Sequence, residues 1–257
     1  MVRFRKSLLL CMVLVLVLAG CSRGPVSTHR IQQVQTPQHV ATIAEERNGA
    51  KWWMKRNREL NAIGASNAAS LVFFGDSIME GWEHIGRKSL AIFSSKYPTA
   101  VMGMGGDGTQ HALWRAEQGN FKHLRPRLVV IMIGTNNLGS QSPLEIVDGV
   151  TAVVQAVNAV TPDSRILVLG LFPRGDDHAY RLREPIRQVN EGLSRLADHK
   201  TIFYRDFGAL LLNPDGTAQR EIQPDHLHLS RKGYRIWAEA MFPVVEELIR
   251  GSDRDDP

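Results

Sequence analysis

Cysteine is nearly missing from this chain of 257 residues: there are two, Cys11 and Cys21, and none follows residue 21. That excludes a disulfide framework, a cysteine-rich zinc cluster and a thiol nucleophile from the body of the protein. Internal repeats and low-complexity tracts are missing too. Charged residues are 22% against 43% hydrophobic, the balance of a packed chain and not of a disordered one. The one long apolar run, Leu8 to Leu18, is short for a bilayer span. No basic run or aromatic platform of the kind that holds nucleic acid is present.

What is there begins with the leader. Arg3, Arg5 and Lys6 precede the apolar run, and the small residues Ala19 and Gly20 precede Cys21, the layout of a secretory signal. The stretch Leu18-Ala19-Gly20-Cys21 is similar to a bacterial lipobox, whose cysteine is diacylated and becomes the first residue of the mature chain. An ordinary signal peptide with an incidental cysteine is the rival reading. On the lipobox reading, residues 1–20 are removed, Cys21 is a lipid anchor, and Ser22 after it favours the outer membrane or a periplasm-facing site. Cleavage removes three bases and no acid, leaving 28 bases and 26 acids, so the net charge falls from +5 to +2. Residues 21–40 then form the lipidated cysteine and a polar tether, 41–250 the domain with an N-terminal helix over 41–63, and 251–257 a frayed charged tail.

Within the domain, short apolar runs alternate with longer amphipathic stretches. The runs are Leu71 to Phe74, Ala100 to Met104, Leu128 to Ile133, Ile166 to Leu169 and Thr201 to Tyr204. The stretches are Lys88 to Tyr97, Gln110 to Gln118, Leu144 to Val160, Leu182 to Asp198 and a last one from Ser230, its N-cap, to Arg250. This order predicts an α/β protein with a parallel, roughly five-stranded sheet covered on both faces. Ligands of such sheets bind beyond the carboxyl ends of the strands, so the residues that follow each run matter most.

Gly75-Asp76-Ser77-Ile78 follows the first run. A serine on a tight strand-to-helix turn presents its hydroxyl above the sheet, although Ser77 could equally be a plain N-cap. Gly103-Met104-Gly105-Gly106-Asp107-Gly108 follows the second. Gly103, Gly105 and Gly108 fit the spacing of a dinucleotide-binding turn, but the second strand is the wrong place for one and Asp107 would meet the pyrophosphate. The other use of these glycines is to bring a backbone N–H, such as that of Gly103, close to a reacting carbonyl. Gly134-Thr135-Asn136-Asn137 follows the third run, where an Asn satisfies a turn or offers its amide to an oxyanion. Before the last helix, Asp225 and His228 are three apart, which suits a carboxylate holding an imidazole on one side of a helical turn. A metal reading of Asp225, His226 and His228 lacks further ligands.

Together GDSI, GxGG, GTNN and DxxH, in the order Ser, Gly, Asn, His, resemble the SGNH or GDSL hydrolase family from about Leu71 to Leu248. Within it, Gly103 to Arg115, Gly134 to Asn137, Leu169 to Gly175 and Leu227 to Ser230 look most like the catalytic subunits of intracellular platelet-activating-factor acetylhydrolases and their bacterial relatives. The resemblance implies a flavodoxin-like three-layer α/β/α sandwich and a serine esterase. It implies Ser77 as nucleophile, His228 as base, Asp225 as its orienting acid, and the N–H groups of Ser77, Gly103 and Asn136 as the oxyanion hole. It implies no metal and no organic cofactor, and it admits a homodimer. Many members have an acid where Asn137 stands, though the acetylhydrolase branch does not. Asp107, Arg115 and Arg174 match that branch as well and read as structural or loop-fixing. The expected substrate is a short acyl ester, an O-acetyl group on a glycan or other envelope material. A lipid-directed acylhydrolase or thioesterase is the enzymatic rival, and an idle glycan-binding lipoprotein the non-enzymatic one.

Overall fold

The computed structural model describes residues 38–47, 49–175 and 180–252. The leader, Cys21 and most of the tether lie outside the described residues, so the expectations about them stand as they were.

All five apolar runs are strands: β1 (Leu71–Gly75), β2 (Thr99–Gly103), β3 (Leu128–Met132), β4 (Arg165–Leu169) and β5 (Ile202–Arg205). They form one parallel sheet in the order β2-β1-β3-β4-β5, with Leu71 paired to Thr99 on one side and to Leu128 on the other. β1 and β3 are buried at every position, as strands with both faces covered must be. The chain steps outward from β1 to the edge strand β2, then crosses back to β3. Since such crossovers are right-handed, the connections before and after β2 lie on opposite faces. On one face α3 (Arg87–Ser94) packs with the last helix, α7 (Arg231–Ser252). On the other, α5 (Pro143–Val160) packs against both α4 (Thr109–Arg115) and α6 (Arg183–Ser194). This is the three-layer α/β/α sandwich, and its reversal point opens a crevice at the carboxyl ends of β1 and β3.

Local sequence explains where the helices start. At α5, Ser142 Oγ accepts the N–H of Glu145 while Glu145 accepts that of Ser142, and Pro143 occupies the first turn. Ser230 caps α7 as expected, accepting the Gly233 N–H on Oγ and the Tyr234 N–H on its carbonyl. Beneath α3 and α7 an aromatic cluster fills the core: Trp82 lies 4.8 Å from both Tyr234 and Trp237 and 5.8 Å from Phe93.

Three expectations need correction. The N-terminal helix is α1 (Lys51–Ala65), preceded by a 3-10 turn at Val40–Thr42 and an irregular segment. That segment has no need of helical bonds, because tertiary ones replace them: Ala41 C=O accepts Thr109 Oγ1–H and Glu45 N–H is bonded to Gln110 C=O. The stretch after Gln110 leaves regular helix at Arg115 and turns through a π-helical loop, Ala116–Asn120, broken by Gly119 at φ 123°. Gly251 and Ser252, placed in the tail, still belong to α7.

One buried cation ties the strand ends together. Arg115 and Asp107 have fully buried side chains, with Arg115 Nε 2.7 Å from Asp107 Oδ2. The same guanidinium donates to Met102 C=O at the end of β2, to Gly75 C=O at the end of β1 and to Asn120 Oδ1. It also lies 4.6 Å from the Phe74 ring, and Trp53 Nε1–H of α1 donates to the other oxygen of Asp107 at 2.7 Å. Burial pushes the Asp107 carboxyl up and the Arg115 guanidinium down, and their pairing works against both shifts. Arg115→Met removes one partner and strands a carboxylate in the core. The expected loss is about 3–5 kcal/mol of unfolding free energy in a urea titration, and a loss below about 1 kcal/mol would contradict this account.

Candidate active site

The turn after β1 is made by Asp76. Its Oδ1 accepts the Ile78 N–H at 2.9 Å and caps the short helix α2 (Ser77–Glu80). The cap is therefore Asp76 and not Ser77. Ser77 becomes the first helical residue, whose N–H has no acceptor inside the helix and whose hydroxyl is free for other partners. That hydroxyl lies 2.9 Å from His228 Nε2, and His228 Nδ1 lies 2.7 Å from Asp225 Oδ2. Three residues from the two ends of the domain meet in one chain of hydrogen bonds. The His228 and Asp225 side chains are 46% and 56% exposed, so this chain lies at an open rim.

The Asp225–His228 turn is not helical, a correction to the expected geometry. Asp225 Oδ1 accepts the backbone N–H groups of Leu227 and His228, and His226 takes φ 60°, the left-handed region that non-glycine residues rarely occupy. Folding the turn on its own carboxylate is what sets both side chains in line with Ser77. The loop after β4 braces it. Buried Gln223 donates through Nε2 to Pro173 C=O and Leu227 C=O, and Gly175 N–H donates to His226 C=O. Arg174 contributes by donating to Thr135 C=O, the loop-fixing contact expected of it.

The carboxyl groups of the site are sorted by environment. Partial burial raises Asp225, but the ring of His228 and the N–H groups of His228 and Leu227 outweigh it and hold the carboxyl below its ordinary value. It is an ionised acceptor, so His228 donates from Nδ1 and keeps Nε2 as the acceptor facing Ser77. Asp76 is the opposite case. Complete burial pushes it from 3.8 up to about 7, and its Oδ2 has no hydrogen-bond partner among the described residues.

Asn136 is exposed at the end of the β3 loop, its amide donating to Asp107 C=O at 2.9 Å, which leaves a second amide N–H open. Asn137 beside it is buried. It accepts the Thr109 N–H and donates to Thr109 Oγ1 and Gln110 Oε1, so its task is to fasten the start of α4.

The structure does not bring Gly103 to the site. Met104 N–H donates to Gly75 C=O, and alternation along a strand then turns the Gly103 N–H toward the outer edge of the sheet, away from Ser77. Gly103 serves packing: a Cβ there would fall 2.0 Å from Glu80 N. The exposed residue of this loop is Gly106, at φ 73°, whose N–H makes no hydrogen bond among the described residues. Gly105, between them, is tied down by its N–H to Glu80 Oε2 at 2.7 Å. The sequence pointed to the glycine cluster, but which glycine offers its N–H is decided by backbone direction. Glu80, three residues after Ser77 on the same turn, carried a readable signal of proximity; Gln223 carried none.

Residues 73–236 match the model of the GDSL-like Lipase/Acylhydrolase family. The chain belongs to this family. Its relatives include the human platelet-activating factor acetylhydrolase IB subunit alpha1, 36% identical over 216 residues that span 84% of this chain and 92% of the human one. The rat subunit alpha2 is 29% identical over 220 residues, 83% and 92% of the two chains. Among solved structures, a GDSL-like lipase from Bacteroides thetaiotaomicron superposes with a TM-score of 0.60 at 20% identity, covering 75% of this chain and 97% of that one. A carbohydrate acetylesterase from Sinorhizobium meliloti does so with 0.55 at 19%, covering 69% and 98%. At those identities the superpositions speak for the fold. Family membership makes this chain an ester hydrolase of the SGNH/GDSL type.

Asp76 gives a test through stability. The folded chain keeps the Asp76 proton up to about 7, whereas an unfolded chain releases it near 3.8. Its contribution is therefore complete below the unfolded value and is lost as pH rises toward 7. Asp76→Asn keeps the cap acceptor and removes the titration. Its melting temperature should fall less than that of the wild type between pH 4 and pH 7; parallel curves would show that Asp76 does not hold a proton.

Proposed function

We propose that the protein is a serine esterase that removes short acyl groups, acetyl above all, from glycans or other cell-envelope material. The observation that carries this reading is the unbroken relay Ser77–His228–Asp225. His228 Nε2 takes the proton of Ser77 as Oγ attacks the ester carbonyl, and ionised Asp225 stabilises the imidazolium. The tetrahedral oxyanion is held by the N–H groups of Ser77 and Gly106 and the open amide N–H of Asn136. As the intermediate collapses, the imidazolium returns its proton to the departing alcohol oxygen. Water, activated by the same imidazole, then releases the acid from the acyl-enzyme.

Two facts favour an acetyl group on a polar alcohol. Acetylhydrolases and acetylesterases recur among the relatives and structural neighbours. Next to the Asp225 turn, a cavity of about 300 Å³ is lined by Arg174, Gly175, Tyr180, Asp225, His226 and Leu227, a mostly polar set.

The purified domain from residue 41 should hydrolyse p-nitrophenyl acetate faster than the decanoate, and Ser77→Ala should abolish both activities and labelling by a fluorophosphonate. Equal turnover by the variant and the wild type would refute the serine mechanism, and preference for decanoate would favour a lipid-directed acylhydrolase. We also propose that Cys21 is lipidated, as the lipobox implies. In bacterial cells the full chain should fractionate with membranes and Cys21→Ser should not; membrane association of the variant would refute the anchor.

A further inference from the structure

We infer that Arg47, outside the segment that carries the family match, is a positioning residue for the oxyanion hole. Arg47 Nη1 donates to the carbonyl of Gly105 at 3.3 Å. That carbonyl and the N–H of Gly106 are the two ends of one peptide unit, which is trans, since no cis bond occurs among the described residues. In a trans peptide the C=O and N–H point in opposite directions. Holding the carbonyl from behind therefore aims the Gly106 N–H forward, into the position that the proposed mechanism gives it. The bond is charge-assisted, and a cation on the carbonyl polarises the peptide and strengthens its N–H as a donor.

The neighbours show that the arrangement is built and not a chance reach of a long side chain. Gly105 is gripped from both ends, by Glu80 on its N–H and by Arg47 on its C=O. At Gly106 a Cβ would lie 2.8 Å from Nη1, so a side chain there would push the guanidinium out of its present place. Arg47 in turn lies over the Trp52 ring at 5.5 Å, and Trp52 is 54% exposed for a large apolar side chain. An exposed tryptophan on the first turn of α1 gains a purpose as the rest on which this guanidinium is laid. On the far side of the loop, Asp107 C=O is held by Asn136 and Asp107 N–H by Met104 C=O. The Gly106 N–H is what this frame leaves over. The irregular segment 43–47, which the sequence reads as helix, is the shape that lets Arg47 reach it.

The inference rests on the serine mechanism proposed above and on Gly106 as a donor. A positioning role for a transition-state donor lowers kcat and spares KM. With p-nitrophenyl acetate, Arg47→Gln should lower kcat about tenfold with KM changed less than about threefold, and should slow fluorophosphonate labelling of Ser77 in proportion. Arg47→Lys, which keeps a cation but not the fork, should recover part of kcat. Trp52→Ala should give a smaller loss of the same kind. Ser77-dependent turnover that is unchanged in Arg47→Gln overturns this inference alone. So does a loss equal in Gln and Lys variants that tracks a fall in melting temperature, since that is what a structural contact would produce. Turnover that does not depend on Ser77 overturns the mechanism beneath it instead.

Discussion

Everything at the functional edge of this protein hangs on a charge that ought not to be in its core. The Arg115 guanidinium is sealed from water, and its desolvation is tolerable only because Asp107, two strand-end carbonyls, Asn120 and the face of Phe74 surround it. Those partners come from β1, from β2 and its following loop, and from the turn after α4. A cation that must satisfy all of them at once permits one relative arrangement of these pieces. It is the arrangement in which the Ser77 turn, at the end of β1, faces the glycine loop, at the end of β2. Asp107 passes the constraint on in two directions: its side chain reaches α1 through Trp53, and its carbonyl fixes the amide of Asn136 after β3.

The carboxyl groups above this anchor differ by surroundings and not by type. Asp76 caps a helix from within the core and keeps its proton to about 7; Asp225 is half exposed, collects three N–H donors and stays ionised. Each state suits its place. On the proposed mechanism, a neutral Asp76 adds no negative charge under the turn that stabilises the oxyanion, while an ionised Asp225 is what an imidazolium needs beside it.

Much of this was legible in the residues. Ser77, Asn136, Asp225 and His228 each stand just beyond a periodic apolar run or just before the last helix, and a parallel sheet gathers those positions at one edge. The strands were legible for the same reason, since fully covered strands are uninterrupted apolar runs. What escaped was whatever depends on direction and not on position. Gly103 and Gly106 are three residues apart in a run of glycines, and only the pleat of β2 shows that the Gly103 N–H turns away from Ser77. The segment 43–47 has helix-forming composition, yet its Glu45 N–H is bonded to α4 and its Arg47 side chain to the glycine loop. The helical turn expected at Asp225 gave way to a turn folded on its own side chain, because two backbone N–H groups offer that carboxylate more than a helical neighbour would.

The exposure of the relay has a consequence for the shape of the substrate. His228 and Asp225 lie at a rim, about half exposed, so the relay is open to solvent and not sealed in the core. If the proposed esterase reading holds, an acyl group carried on a bulky alcohol could reach such a relay without the alcohol itself having to be enclosed.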